Sequence, residues 1–144
     1  MRSFGIRAAI AAVALLSGAC FSFHRSIAVD VDPQTWSSPA EIVLPNADTA
    51  ALCDLSFFLR FDPRFRDDTL TLRIEVRTPD SLLFDEPFLF CATRVRQPAA
   101  VRREAAAAYR RRVVFRCRGD YRFSVVPVRP VVGVEAVGLY VEYE

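Results

Sequence analysis

The sequence predicts an all-β protein: an antiparallel β-sandwich of about seven or eight short strands with one short surface helix. Two observations predict this fold. Apolar and polar residues alternate in short segments over most of the chain, as they do in strands that bury one face, and turn-forming residues separate these segments at nearly regular intervals. The 144 residues, 52% hydrophobic and 25% charged, suffice for one globular domain. A small barrel is the alternative architecture.

The N-terminal segment, residues 1–19, is typical of a bacterial lipoprotein signal peptide. Residues 1–7 are basic, residues 8–16 are uninterruptedly apolar, and the small residues 17–19 directly precede Cys20. The apolar run is too short to span a bilayer, which requires about 20 residues. We therefore expect lipid on the Cys20 sulfur and cleavage before it. The alternative is an ordinary signal peptide with an incidental cysteine.

The residues after Cys20 indicate where the anchor lies. No acidic residue occurs between positions 21 and 26, so we expect an outer-membrane anchor facing the periplasm. Residues 20–34 are interpreted as a lipidated tether with a first strand at residues 27–31, and residues 35–144 as the sandwich domain.

The strands of the domain follow from the alternation. Leu70, Leu72, Ile74 and Val76 share one face of the clearest segment. A turn at residues 78–81 and a Gly119–Asp120 turn separate neighbouring strands. Strands are expected at residues 42–44, 52–61, 69–77, 82–84, 88–95, 112–118, 121–125 and 137–143. The helix is expected at residues 98–111, because proline in the first turn and the following alanines favour helix.

Three cysteines remain once Cys20 carries lipid: Cys53, Cys91 and Cys117. All three fall on the apolar faces of predicted strands. In an oxidising periplasm one pair can bond, and Cys91 with Cys117 is the expected pair if their strands are neighbours. The alternative is three buried cysteines without a disulfide, since cysteine packs as a small apolar residue.

Composition and motifs exclude several function classes. Beyond residue 19, 17 arginines balance 17 acidic residues, so bulk charge does not favour nucleic acid. The single histidine, His24, lies next to the expected anchor, which argues against a Ser-His or Cys-His catalytic pair. No spacing suggests a metal or a nucleotide cofactor. The acid pairs Asp67–Asp68 and Asp85–Glu86 are interpreted as solvated turn residues. We therefore expect neither enzyme activity nor a cofactor.

An ordered set of residues resembles the gliding-motility lipoprotein GldH family. The family's C-terminal pattern is Gly-x-Tyr-x-Phe, an arginine, and then Gly-Ile-x-x-Val-Gly-Leu before the last strand. The matching residues are Gly119, Tyr121, Phe123, Arg129, Gly133, Val137, Gly138 and Leu139, with Trp36 and Arg60 nearer the N-terminus.

The resemblance implies a function: a non-catalytic envelope lipoprotein that supports gliding motility and the associated secretion of cell-surface proteins through protein–protein contacts. The apolar residues on polar faces, Phe58, Val114, Val126 and Tyr140, would mark a contact site if they form one exposed patch. The alternative is a carbohydrate-binding lipoprotein module, for which Trp36 is the single tryptophan platform.

Overall fold

The computed structural model describes residues 23–92 and 103–144, and it confirms the predicted all-β fold. Eight antiparallel strands form two four-stranded sheets, and the described residues contain no helix. The strands are β1 (His24–Asp30), β2 (Ala40–Asn46), β3 (Leu52–Phe61), β4 (Thr69–Arg77), β5 (Leu83–Cys91), β6 (Arg103–Val114), β7 (Gly119–Pro127) and β8 (Val134–Tyr143).

The order of the strands is β1-β8-β3-β6 in the first sheet and β2-β7-β4-β5 in the second. The core lies between the sheets, and it is filled by the apolar residues that alternate along each strand. In β3 the inward residues include Leu55, Phe57 and Leu59, which are at most 2% exposed. Burial of these alternating residues explains why a period of two in the sequence predicted the strands.

One end of the sandwich, here called the lower end, carries the beginning of β1. It comprises Phe23, the loops 47–51, 78–82 and 115–118, and Glu144. The register supports this grouping, because His24 pairs with Glu142 and Asn46 pairs with Gly119. The two sheets are joined there by Arg25, whose Nη1 donates a hydrogen bond to the carbonyl oxygen of Pro45 at 3.1 Å. The opposite end is called the upper end.

The helix predicted at residues 98–111 is wrong over residues 103–111, which belong to β6; residues 98–102 lie outside the described part. The alanines have high intrinsic helix propensity, but β6 pairs with β3 from Phe61↔Arg103 to Leu52↔Val114. Without β6, the edge of β3 would present unpaired backbone groups. The small inward side chains of Ala105 and Ala107 also lie against the aromatic core of the sandwich. Tertiary pairing therefore outweighs local propensity.

Several other boundaries differ from the expectation. Gly119 and Asp120, predicted as a turn, begin β7. The strands predicted separately at residues 82–84 and 88–95 form one strand, β5, and residues 93–95 lie outside the described part. The first strand begins at His24 rather than at residue 27, and it pairs with β8 over its whole length. The predicted strand at residues 112–118 ends at Val114, and residues 115–118 form the loop to β7. Pro87 lies on the edge strand β5, as its missing N–H requires.

Candidate functional site

Trp36 is a structural residue. Its side chain is 1% exposed, and its backbone forms an isolated bridge with Val131. The indole N–H donates a hydrogen bond to the carbonyl oxygen of Ser38 at 2.8 Å. Trp36 therefore links the β1–β2 loop to the β7–β8 loop at the upper end. A buried indole offers no platform for a sugar ring, so Trp36 does not favour the carbohydrate-binding alternative.

Two glycines of the GldH-like pattern are required by close approaches of other groups. Gly133 has φ +90°, and a β-carbon there would lie 2.4 Å from the backbone nitrogen of Phe65. A β-carbon on Gly138 would lie 2.1 Å from Cζ of Phe58. The space above Gly138 is occupied by the Phe58 ring, which is completely buried on the outer face of the first sheet. Both positions therefore require glycine because neighbouring atoms occupy the space of a β-carbon.

The Gly-x-Tyr-x-Phe residues shape the start of β7. Gly119 has φ +121°, a conformation that favours glycine. The Tyr121 hydroxyl accepts a hydrogen bond from the backbone N–H of Cys117 at 3.1 Å, which holds the 115–118 loop. Phe123, like Val137 on β8, lies in the core.

The two arginines of the pattern form ion pairs on the surface. Nε of Arg60 donates a hydrogen bond to Glu104 at 3.0 Å, and its guanidinium carbon lies 5.2 Å from the centre of the Phe58 ring. Arg129 pairs with Asp67 at 2.9 Å. The GldH-like residues thus build the scaffold at separate places, and the structure does not bring them together into one site.

The predicted lipidation residue, Cys20, lies outside the described residues. The structure has no disulfide between Cys91 and Cys117: Cys53, Cys91 and Cys117 are free, as the alternative expects, but only Cys53 is buried, and Cys91 is exposed. Cys91 pairs with Thr69 at the upper end of β4, whereas Cys117 lies in a lower-end loop. The length of a strand such as β4, roughly 25 Å, separates these ends, and a disulfide requires Cα atoms within about 7 Å.

The four apolar residues predicted on polar faces do not form one exposed patch. Phe58 is fully buried, and its ring stacks on that of Tyr140 with centroids 4.2 Å apart. These two residues lie on the first sheet, whereas Val126 lies on β7 in the second sheet and Val114 ends β6. A contact site must therefore be sought elsewhere.

A cleft lies between the edge strands β5 and β6, and it is here called the edge cleft. Its volume is about 590 Å³, within the usual range of ligand-binding pockets. The floor includes Leu55 and Phe123, which belong to the core. The rim carries Leu83 and Phe84, each 55% exposed. Because Leu83 begins β5, the edge cleft opens near the lower end.

One ion pair crosses the edge cleft. Glu86 follows Phe84 on the inward-facing side of β5, and both its oxygens accept hydrogen bonds from Nη2 of Arg110, at 2.5 and 2.6 Å. The Tyr109 hydroxyl also donates a hydrogen bond to Glu86. An inward-pointing charge is one of the devices that protect an edge strand from pairing with other chains.

Neighbouring side chains and burial shift the pKa values of Glu86 and Tyr109. The hydrogen bond from Tyr109, and then Arg110, hold the pKa of Glu86 below its ordinary value, although partial burial opposes this shift. Burial, followed by the bond to Glu86, raises the pKa of Tyr109 well above its ordinary value. Glu86 is therefore ionised and Tyr109 neutral near neutral pH. Both pKa values are thus shifted away from neutrality, whereas general acid–base catalysis is most efficient with a pKa near the working pH.

Sequence reasoning missed the edge cleft. The sequence analysis predicts Glu86 to be a solvated turn residue, and it places Tyr109 within the helix expected at residues 98–111. The sequence does contain one indication of the cleft. Phe84, Glu86, Phe88 and Phe90 occupy every second position, so in a strand they share one face, and Glu86 then lies among aromatic residues. The sequence does not show that β5 lies beside β6 across the two sheets.

Residues 23–92 and 103–144 contain no group of three or more His, Cys, Asp or Glu side chains arranged to hold a metal ion. Within the same ranges, no helix is long and apolar enough to cross a membrane. No family model, curated protein or solved structure matches this chain. The resemblance to GldH therefore depends on the quoted residues alone.

Proposed function

We propose that this protein is a non-catalytic envelope lipoprotein, anchored through Cys20, that binds another envelope protein through the edge cleft. The resemblance to GldH motivates the biological role: support of gliding motility and of the associated secretion of cell-surface proteins. The observation that carries the proposal is the apolar edge cleft with the exposed side chain of Phe84 on its rim. Exposed apolar groups beside a cleft are typical of interaction sites.

The nature of the edge strand suggests how the partner binds. Pro87 has no N–H, so it interrupts the row of backbone donors in the middle of β5. Pairing of a partner strand along all of β5 is therefore unfavourable. We expect the partner to insert apolar side chains into the edge cleft, with Phe84 packing against them.

The chemistry of the described residues supports binding rather than catalysis. Glu86, Tyr109 and Arg110 satisfy one another by hydrogen bonds and an ion pair. His24 lies on β1, at the edge of the first sheet opposite β6. The single histidine of the sequence is therefore remote from the polar groups of the edge cleft.

Photo-crosslinking in intact cells tests this proposal. A benzophenone amino acid is placed at Phe84, on the cleft rim, or at Leu89, on the outward face of the same strand. The matched exposures of 55% and 58% make Leu89 a suitable control. We expect a discrete protein adduct at position 84 and none at position 89. Val76→Trp, which adds volume in the edge cleft, should remove the adduct while the circular-dichroism spectrum stays unchanged.

Two outcomes contradict the proposal. Equal adducts at positions 84 and 89 would mean that the edge cleft is not the contact site. Binding to a glycan array without any protein adduct in cells would instead favour the carbohydrate-binding alternative.

The motility role needs a separate test in a gliding host that lacks the protein. Phe84→Asp should fail to restore colony spreading, whereas Leu89→Asp should restore it, with both variants present at wild-type levels. Full spreading of the deletion strain would contradict a role in gliding and leave the binding proposal standing.

A further inference from the structure

We infer that the lower end of the sandwich lies against the phospholipid bilayer, with Phe23 and Leu82 at the level of the head groups and Arg116 and Arg118 on lipid phosphates. This inference rests on the proposed Cys20 anchor and adds an orientation to it. It concerns loops and the chain entry point rather than the edge cleft itself.

The path of the chain places the lower end near the anchor. Cys20 precedes Phe23 by three residues, so their Cα atoms are at most about 11 Å apart. Phe23 is held on the body: its carbonyl oxygen accepts a hydrogen bond from the Tyr143 N–H at 3.2 Å, and the two rings are 6.0 Å apart. A lipid on Cys20 therefore keeps this end close to the bilayer.

Two exposed apolar side chains outside the edge cleft lie at the same end. Phe23 is 65% exposed, and Leu82, in the turn between β4 and β5, is 54% exposed. The upper end has exposed apolar side chains as well, Val128 and Val132, so it is the chain path that selects the lower end. Insertion of such side chains into the interfacial region removes apolar area from water, which favours this orientation over one that faces the solvent.

The lower-end loop between β6 and β7 supplies cations. Arg116 and Arg118 are exposed, and neither has an ion-pair partner among the described residues. By contrast, Arg111 pairs with Asp54 and Arg112 with Glu144 at this end. The planar guanidinium group binds phosphate oxygens in a bidentate geometry, so lipid phosphates are suitable partners for the two unpaired arginines.

The lower end is not a strongly basic surface. Asp48, Asp80 and Asp120 also lie there without an arginine partner among the described residues, so unpaired acids outnumber the two unpaired arginines. Bulk attraction to anionic lipid is therefore not the source of affinity. The lipid on Cys20 and the exposed apolar side chains would hold the lower end at the bilayer. The two arginines would then set its orientation by binding lipid phosphates.

The orientation has a consequence for the proposed partner. Because the edge cleft opens near the lower end, a partner bound there contacts this protein close to the bilayer surface. A membrane-embedded partner would need only a short juxtamembrane segment to reach it.

Lipid photo-crosslinking of the full-length lipidated protein tests the inference. The protein is reconstituted into vesicles of phosphatidylethanolamine and phosphatidylglycerol with a benzophenone amino acid at Leu82 or Val132. Val132, in the upper-end loop between β7 and β8, is 47% exposed and serves as the control. We expect roughly tenfold more lipid adduct at position 82, since burial of one leucine side chain supplies a preference of that order.

A paired substitution tests the two arginines. Replacement of Arg116 and Arg118 by glutamine should lower the lipid adduct at position 82 by about fivefold or more, because each arginine at a lipid surface contributes about that factor. Arg66→Gln changes an exposed upper-end arginine without an ion-pair partner among the described residues, and it should have no effect.

The outcomes separate this inference from the proposed function. Equal lipid adducts at positions 82 and 132 in an acylated protein would overturn the orientation and leave the anchored module intact. A protein adduct in place of lipid at position 82 in intact cells would overturn it as well, and would extend the partner's contact to the lower end. Failure of Cys20 to take up acyl label would instead overturn the anchor on which both proposals depend.

Discussion

At Gly133 the backbone has φ +90°, and a β-carbon would meet the backbone nitrogen of Phe65 at 2.4 Å. A main-chain neighbour cannot rotate away as a side chain can. At Gly119, with φ +121°, the nearest atom to a β-carbon would be Cβ of Pro79 at 3.0 Å. These residues of the GldH-like pattern therefore differ in how strongly the fold requires glycine.

We predict that Gly133→Ala lowers the free energy of unfolding by about 4 kcal/mol, from the main-chain clash and the strained φ together. Gly119→Ala, in which φ is strained but the contact is with a proline side chain, should cost about 1–2 kcal/mol. Urea denaturation followed by circular dichroism gives both values. Equal costs, or a smaller cost at Gly133, would contradict this account of the close approach.

At the scale of the strand, β6 shows where sequence patterns do not suffice. Alternation predicted β3, β4, β7 and β8 because each buries one face in the core, which is a property of the strand itself. The alanines of β6 have high helix propensity but also fit a strand. Pairing with β3 stabilises the strand conformation. The edge cleft was missed for the same reason, since its walls belong to strands that are neighbours only in space.

The outward-facing alanines of β6 give a direct test of its strand conformation. Ala106 and Ala108 are exposed. Ala106→Thr should raise the free energy of unfolding by about 0.5 kcal/mol in a strand, because β-branched residues favour strands. The same change in a helix would lower stability by a similar amount. As a control, Thr71→Ala in β4 should lower the free energy of unfolding. A lower free energy of unfolding in Ala106→Thr would contradict the strand conformation of β6.

Glu86 gives a second test at this scale, through the pH dependence of stability. Its pKa is lower in the folded protein than in the unfolded chain, so its ionised form stabilises the fold above the unfolded pKa of about 4.3. That stabilisation is lost as the pH falls through the folded pKa. We predict that Glu86→Gln costs about 1 kcal/mol at neutral pH and progressively less as the solution is acidified.

The control for Glu86 is Glu75→Gln, since the Glu75–Arg77 pair is longer, at 3.8 Å, and exposed. Exposed pairs of this kind contribute little to stability. Urea midpoints at neutral and acidic pH should show a pH-dependent difference for Glu86→Gln and none of that size for Glu75→Gln. A constant cost at all pH values would mean that the ionised pair does not stabilise the edge cleft.

At the scale of the whole molecule, strand order explains the wrong disulfide prediction. Cys91 and Cys117 follow one another along the sequence of strands, but the sheets are ordered β1-β8-β3-β6 and β2-β7-β4-β5. Segments that are close in sequence are therefore distributed between two sheets and two ends. Residue patterns reveal which segments are strands, whereas the pairing partners depend on the global packing of the core.

The position of the chain entry links the fold to the proposed function. The chain enters beside Tyr143, and the exposed Phe23, Leu82, Leu83 and Phe84 lie at or near the lower end. The upper end holds buried Trp36 and the close approach at Gly133, together with the exposed Val128 and Val132. Exposed apolar side chains thus occur at both ends, and the proposed anchor is what would place the lower end at the bilayer.

Metabolic labelling with a tagged fatty acid tests the anchor, on which the proposed function and orientation depend. Wild-type protein and Cys20→Ala are expressed in a bacterial host, immunoprecipitated and examined for label and for membrane association. We predict label and membrane association in the wild type and neither in Cys20→Ala. Absence of label from the wild type, or equal label in both proteins, would contradict the account.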